Sequence, residues 1–223
     1  MAFKPINCPH CNEELQIPDN KERVNCMFCQ EEIIVKEVLK EDTGNKLEHL
    51  FVLADSALEG DNFPEAHKYF SQIIELDSTN PRAWFGKGLS SGLQSVGNIN
   101  EMIIAFKNAI KFTPDDEKEA YKGFVGNTLK SVVLAAYNHE IHRVVEIAIM
   151  EGRDMLSNYS LLNYSSRSFA ANGSLVIIHA LEQAHEYLPS DIDVLNSIIN
   201  ICDNLKQAVS IRFFGFRTAR TIE

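Results

Sequence analysis

Four cysteines in two Cys-x-x-Cys pairs, Cys8-Pro9-His10-Cys11 and Cys26-Met27-Phe28-Cys29, most narrowly constrain what this chain can fold into. Two residues between thiolates let a tight turn present both sulfurs to one metal while backbone N–H groups point at them. Two such knuckles complete a tetrahedral shell of four thiolates. The pairs stand fourteen residues apart, just short of the usual guide range of about 15–20. The residues between fit a ribbon: Leu15-Gln16-Ile17 alternates, Pro18-Asp19-Asn20-Lys21 reads as a turn, and Arg23-Val24 leads into the second knuckle. Ile33-Ile34-Val35 offers a third short strand. A module of this size, residues 1–38, buries too little to stand on its own core, so bound metal must supply much of its folding energy.

Three readings of the cysteines compete. A structural zinc is favoured, because four thiolates leave no open coordination position. A redox dithiol would need one pair beside a βαβ pattern, which the sequence lacks. A catalytic zinc would need a weak or missing ligand, and His10, the nearby candidate, sits inside a knuckle where side chains point outward. The segment resembles the small prokaryotic zinc ribbons that begin with a Cys-Pro-x-Cys knuckle. Those carry Gly after each knuckle, where this chain has Asn12 and Gln30. Asn tolerates a left-handed backbone better than Gln does, so the second knuckle is expected to be slightly irregular.

Charge narrows the partners. The chain carries 21 Lys and Arg against 31 Asp and Glu, a formal charge of −10. Residues 1–38 alone hold four basic and seven acidic side chains, and a zinc with four thiolates adds about −2 more. Such a surface repels phosphate backbones, so nucleic acid is a disfavoured partner. The N-terminal residues lack the apolar core of a signal peptide, and no stretch approaches the roughly 18 apolar residues of a membrane span. Paired cysteines of this kind suit a reducing compartment, and a cytoplasmic location is expected.

After a polar stretch at 39–46 that reads as a linker, the sequence turns to helix formers and repeats itself at a period of roughly 34 residues. Leu50, Leu53, Ala54 and Ala57 mark one helix, and Ala66, Phe70, Ile73 and Ile74 the next. Asn62, with Glu65 three residues on, predicts a capping box between them. Pro81, Trp84 and Gly88 open a second unit, closed by a helix bearing Met102, Phe106, Ala109 and Ile110, with two extra residues in the turn near 97–100. The fold class expected is mainly α, a helical solenoid over 47–209 with a small N-terminal β module. Further helices are predicted near 116–137, starting from Thr113-Pro114, and near 141–157, 167–187 and 191–208, the last with Ser190 as N-cap.

Residues 47–116 resemble tetratricopeptide (TPR) repeats, through Ala66, Phe70, Ile73, Asn80, Trp84 and Gly88 and the helix ending Glu75-Leu76-Asp77. An unrelated helical hairpin bundle is the alternative. The resemblance implies a concave face built from the first helix of each repeat: Glu48, Phe51, Asp55, Leu58 and Glu59, then Arg82, Phe85, Leu89 and Leu93. Chaperone-binding members of the family clamp a C-terminal carboxylate with Lys, Asn and Arg on that face. Acids and hydrophobes stand there in this chain, which suits a basic or apolar peptide or helix.

The remaining motifs are weighed and mostly set aside. His139-Glu140-Ile141-His142 has histidines three apart rather than the four that a zinc protease helix needs, and reads as a solvated helix start. His179 and His185, six apart, share no helical face. Cys202 falls in the apolar series Leu195, Ile198, Ile199, Cys202, Leu205 and reads as core. Gly86-Lys87-Gly88 lacks the strand and spacing of a phosphate loop. The tail 210–223 interleaves Phe213, Phe214 and Phe216 with Arg212 and Arg217, a surface for docking on the body, on a second copy in a homo-oligomer, or on a separate partner. The function expected is a non-enzymatic protein–protein adaptor with a structural zinc. The alternative is a regulatory component of a nucleic-acid-processing assembly, touching RNA or DNA through the ribbon or the tail.

Overall fold

The computed structural model describes residues 3–151 and 173–203. Two short antiparallel hairpins form the N-terminal module: β1 (Phe3–Asn7) with β2 (Glu14–Pro18), and β3 (Arg23–Asn25) with β4 (Glu32–Ile34). Strand alternation sends Ile6, Leu15, Ile17 and Ile33 inward, where they meet Cys8, Cys26 and Val35. The third strand expected through Val35 stops one residue earlier, because Val35 begins a helix.

That helix, α1 (Val35–Glu59), runs through the whole of the expected linker. The segment 39–46, expected as a polar linker, is therefore helical. Glu37, Lys40 and Lys46 are helix formers that need no apolar stripe, and Val38 and Leu39 pack back on the core of the β module. The first N–H of α1 donates to the Glu22 carbonyl (3.0 Å), so the β module caps the helix in place of a side chain. Thr43 Oγ1 donates to the Leu39 carbonyl one turn back, at 2.8 Å.

Four further helices follow the pattern of paired apolar faces: α2 (Phe63–Leu76), α3 (Pro81–Gln94), α4 (Ile99–Phe112) and α5 (Lys118–Glu151), with a 3-10 turn at Val96–Asn98. Then come α6 (Ser174–Tyr187) and α7 at 192–203. Each of α1 to α4 packs on the next, and α5 packs on α6. One core joins Leu50, Ala54, Ala66, Phe70, Ile73 and Ala83, and a larger one joins Met102, Phe106, Val125, Leu129, Ile177, Leu181, Val194 and Ile201.

Small residues on α3 set the spacing. A Cβ at Gly86 would fall 2.3 Å from the Phe70 ring, and one at Gly92 would collide with the Met102 sulfur. The glycine-poor alternative would push α2 and α4 outward, so α3 gives up helix propensity for close approach.

The turns depart from expectation in instructive ways. At α1–α2 the left-handed residue is Asp61 (φ 55°), Asn62 N donates to the Ala57 carbonyl (2.8 Å), and the Asn62 side chain donates to the Glu65 carboxylate (2.6 Å), so a side-chain pair replaces both backbone bonds of the expected box. At α2–α3 the cap is complete: Asn80 Oδ1 accepts from Ala83 N at 3.1 Å, and Trp84 Nε1 donates to the Ser78 carbonyl at 2.8 Å. Thr113 turns its hydroxyl back to the Ala109 carbonyl (2.8 Å), so α5 starts only at Lys118. The break predicted between 137 and 141 is absent: α5 is continuous, with His139 on an exposed turn inside it. Before α7 the cap is Asp191, whose Oδ1 accepts from Asp193 N at 3.0 Å, rather than Ser190.

Candidate functional site

The two hairpins carry one knuckle each and bring all four cysteine sulfurs within 4.8 Å of one another. The knuckles are built alike. In the first, Asn12 N donates to the Cys8 carbonyl (2.8 Å) and Cys8 N to the Glu13 carbonyl (2.9 Å); in the second, Gln30 N donates to Cys26 and Cys26 N to Glu31, each at 2.9 Å. Asn12 (φ 61°) and Gln30 (φ 63°) both adopt the left-handed conformation that closes the turn. The irregular second knuckle expected from Gln30 does not occur, because ladder-like bonds on both sides hold the residue where a glycine would otherwise sit.

Across the pairs, Cys8 Sγ lies 3.8 Å from Cys29 Sγ, and Cys11 Sγ 3.7 Å from Cys26 Sγ. A tetrahedron with metal–sulfur bonds of about 2.3 Å has an edge of about 3.8 Å, so the donor set fits a four-coordinate ion. Phe28 N and Cys29 N point at Cys26 Sγ (3.4 and 3.5 Å), as a thiolate requires. The Cys29 and Phe28 N–H groups overcome burial and pull Cys26 down to about 6. The Glu13 backbone lowers Cys11, but burial and the neighbouring sulfurs outweigh it and push that thiol up to about 12. Four sulfurs this close cannot all ionise without a cation between them, and a divalent metal resolves the conflict. His10 is exposed and stands outside the cluster. Among the described residues, no other group of His, Cys, Asp and Glu side chains is placed to hold a metal.

The residues named for a concave face fall on α1 and α3, and some of them meet. The Arg82 guanidinium lies 4.4 Å over the Phe51 ring and pairs with Asp55 at 2.5 Å. One turn on, Phe85 stacks on Phe106 (5.0 Å, 6° between planes) and touches two aromatics of α5, Tyr121 (6.3 Å) and Phe124 (5.0 Å). Aromatics thus stand on α1, α3 and α5, in ring contact from Phe85 to Tyr121 and Phe124, with Phe51 linked to α3 through Arg82. Leu58 and Leu89 pack partly into the two cores, Leu93 is partly exposed, and Glu48 and Glu59 point to solvent. Phe124 is 53% exposed and belongs to this set of aromatics although sequence reasoning passed it over. Part of the signal was there: Phe51 and Phe85 stand 34 residues apart, and 34 plus the two extra turn residues leads to Tyr121, one turn before Phe124.

A polar cluster lies elsewhere, where α2, α3 and α4 meet. Ser91 Oγ donates to Glu101 (2.7 Å), and His67 Nε2 and Lys87 Nζ approach the same carboxylate at 3.0 and 3.8 Å. Burial opposes its ionisation, but the Ser91 and His67 contacts outweigh it and hold Glu101 below the usual carboxylate range. With its lone pairs engaged, this group ties three helices together.

Other expectations resolve simply. On α7 Val194 and Ile201 are buried and Ile198 packs against the same core as expected, while Leu195 (40%) and Ile199 (56%) are exposed and Cys202 is only part-buried, so the inward face is rotated from the one expected. Lys87 and the flanking Gly86 and Gly88 serve helix packing. No described helix is long and apolar enough to cross a membrane. The tail residues Arg212, Phe213, Phe214, Phe216 and Arg217 lie outside the described residues, as does Leu205. Compared with known proteins, the chain matches no protein-family model and no curated protein.

Proposed function

We propose that this chain is a non-enzymatic, cytoplasmic adaptor, in which a structural zinc folds the N-terminal head and a TPR-like helical body binds a partner peptide or helix. The observation that carries the reading is the aromatic row Phe51, Phe85, Tyr121 and Phe124 on the alternate helices α1, α3 and α5, edged by Asp55 and Arg82. Packed rings, Phe124 exposed and Phe51, Phe85 and Tyr121 part-buried, give a partner rigid apolar area at low entropic cost, and charged groups at the rim orient it. Four thiolates suit zinc and leave it no open position, which supports a structural rather than a catalytic metal. The acidic balance of the chain favours a basic or apolar partner over nucleic acid.

The test is capture from the native host with tagged full-length protein, wild type beside Phe85→Ala and Phe124→Ala. The reading expects one stoichiometric protein that is retained by the wild type and lost from both variants. Recovery of nucleic acid instead, released by moderate salt, would favour the alternative class of function. A partner retained equally by all three would remove the row from the account.

A further inference from the structure

The two ends of the aromatic row differ. At the α1–α3 end an arginine already occupies it: Arg82 covers the Phe51 ring at 4.4 Å and is paired with Asp55. At the α3–α5 end Phe85, Tyr121 and Phe124 form a cluster with centroids 5.0–6.3 Å apart, and no described cation covers it. Phe124 is half exposed there. Glu48 and Glu59 on α1 and Glu117 just ahead of α5 are exposed, and none holds an ion pair among the described residues. The face thus offers rings and unpaired carboxylates, and its first half shows how a guanidinium fills such a place.

We infer that the bare end is occupied by residues 211–217 of the same chain, Ile211-Arg212-Phe213-Phe214-Gly215-Phe216-Arg217. The chemistry is complementary: three aromatic rings to continue the row, and Arg212 and Arg217 to repeat at Phe124 what Arg82 does at Phe51. Charge runs the same way, since the segment is basic and the chain as a whole carries −10. Reach permits it within one molecule. The Lys130–Asp191 pair sets the start of α7 beside α5, about 9 Å along that helix from Phe124, and α7 then runs about 18 Å to residue 203. The seven residues 204–210 span up to about 25 Å when extended. The inference rests on the partner-face reading and adds to it: the tail is the resident occupant, and a partner of the same chemistry must displace it.

The experiment uses purified full-length protein at low micromolar concentration, with the photo-reactive p-benzoylphenylalanine replacing Phe214. After illumination, the cross-linked peptides are read by mass spectrometry from the monomer and dimer bands. The inference expects monomer-band cross-links to peptides containing Phe85, Tyr121 or Phe124, reduced several-fold by Phe124→Ala and by the paired Arg212→Glu and Arg217→Glu changes. The arginine changes touch no described residue, so they serve should Phe124→Ala disturb folding. Cross-links confined to the dimer band, cross-links to the β module, or yields unmoved by these substitutions would each overturn it. No partner is present, so such a result leaves the partner-face reading standing, whereas failed capture from the host would not bear on the cross-link.

Discussion

The close seating of α2 on α3 can be tested at one atom. Gly86→Ala would place a Cβ 2.3, 2.4 and 2.5 Å from Cζ, Cε1 and Cε2 of Phe70. Ordinary carbon contacts are about 3.5–4.0 Å, so the ring would have to retreat by more than about 1 Å. Phe70 is only 2% exposed and is held by the Leu50, Ala54 and Ala66 cluster, which leaves it little room. Overpacking of this kind costs about 1–3 kcal/mol, against a helix-propensity gain of about 1 kcal/mol for Ala over Gly. Gly123, inside α5, meets nothing within 4 Å and is the matched control. There Ala keeps the propensity gain without the clash, so the two variants should differ by about 1–3 kcal/mol. At about 2–4 °C per kcal/mol for a chain of this length, the Gly86 variant should melt about 2–12 °C below the Gly123 variant. Urea and thermal unfolding of the full-length, metal-loaded protein, followed by circular dichroism, measure this. Equal stabilisation by both substitutions would refute the packing of Phe70 over Gly86.

Other predictions address separate parts of the account. Gly44 lies in the stretch where a linker was expected and has open space around its Cα; Gly44→Ala should raise helicity and add about 0.5–1 kcal/mol if α1 is continuous, and do nothing measurable if 39–46 is a loop. Arg82→Ala should lower stability by less than about 1 kcal/mol, since the Asp55 pair is solvent-exposed, while weakening partner capture more than any stability change explains. Acid should unfold the body through groups such as Glu101 and Asp77. In each, burial opposes ionisation but hydrogen bonds prevail, and the folded pKa lies below its ordinary value. Their contribution is present above the unfolded carboxylate range near pH 4 and is lost as pH falls through the folded values. Thermal midpoints between pH 6 and 3 should therefore fall less steeply for Glu101→Gln than for wild type; identical slopes would exclude Glu101 from the acid response.

How much was legible in the sequence follows from the range of the forces involved. The cysteine cluster could be read in full, because a knuckle is a local turn whose spacing fixes where both sulfurs point. The helices α2, α3 and α4 were legible through their apolar periodicity and through Pro81 and Asn80 at a boundary. The residues that were misread are those whose state depends on a distant surface. Nothing local marks Val38 and Leu39 as helix, since what they cover is the core of the β module. Nothing local distinguishes Asn138-His139-Glu140 as a break from the same residues on an exposed turn of a long helix. On α7 a face containing Leu195, Ile199 and Cys202 looked as apolar as the one that packs, and only the position of α5 and α6 selects Val194 and Ile201. Phe124 lies three residues past Tyr121, the position that the repeat reaches from Phe85, so the period alone does not select it.

The central claim is that the four-cysteine head is folded by a metal that performs no chemistry and that its influence ends within the first turns of α1. Metal content by mass spectrometry, followed by hydrogen exchange on the full chain before and after chelation, tests it most directly. One zinc per chain is expected, and its removal should expose the amides of 3–34 and of the first turns of α1 while α2, α3 and α4 keep their protection. Cys26→Ser should do the same without a chelator. Loss of protection throughout the helical body, or an unchanged head in the metal-free protein, would contradict the claim.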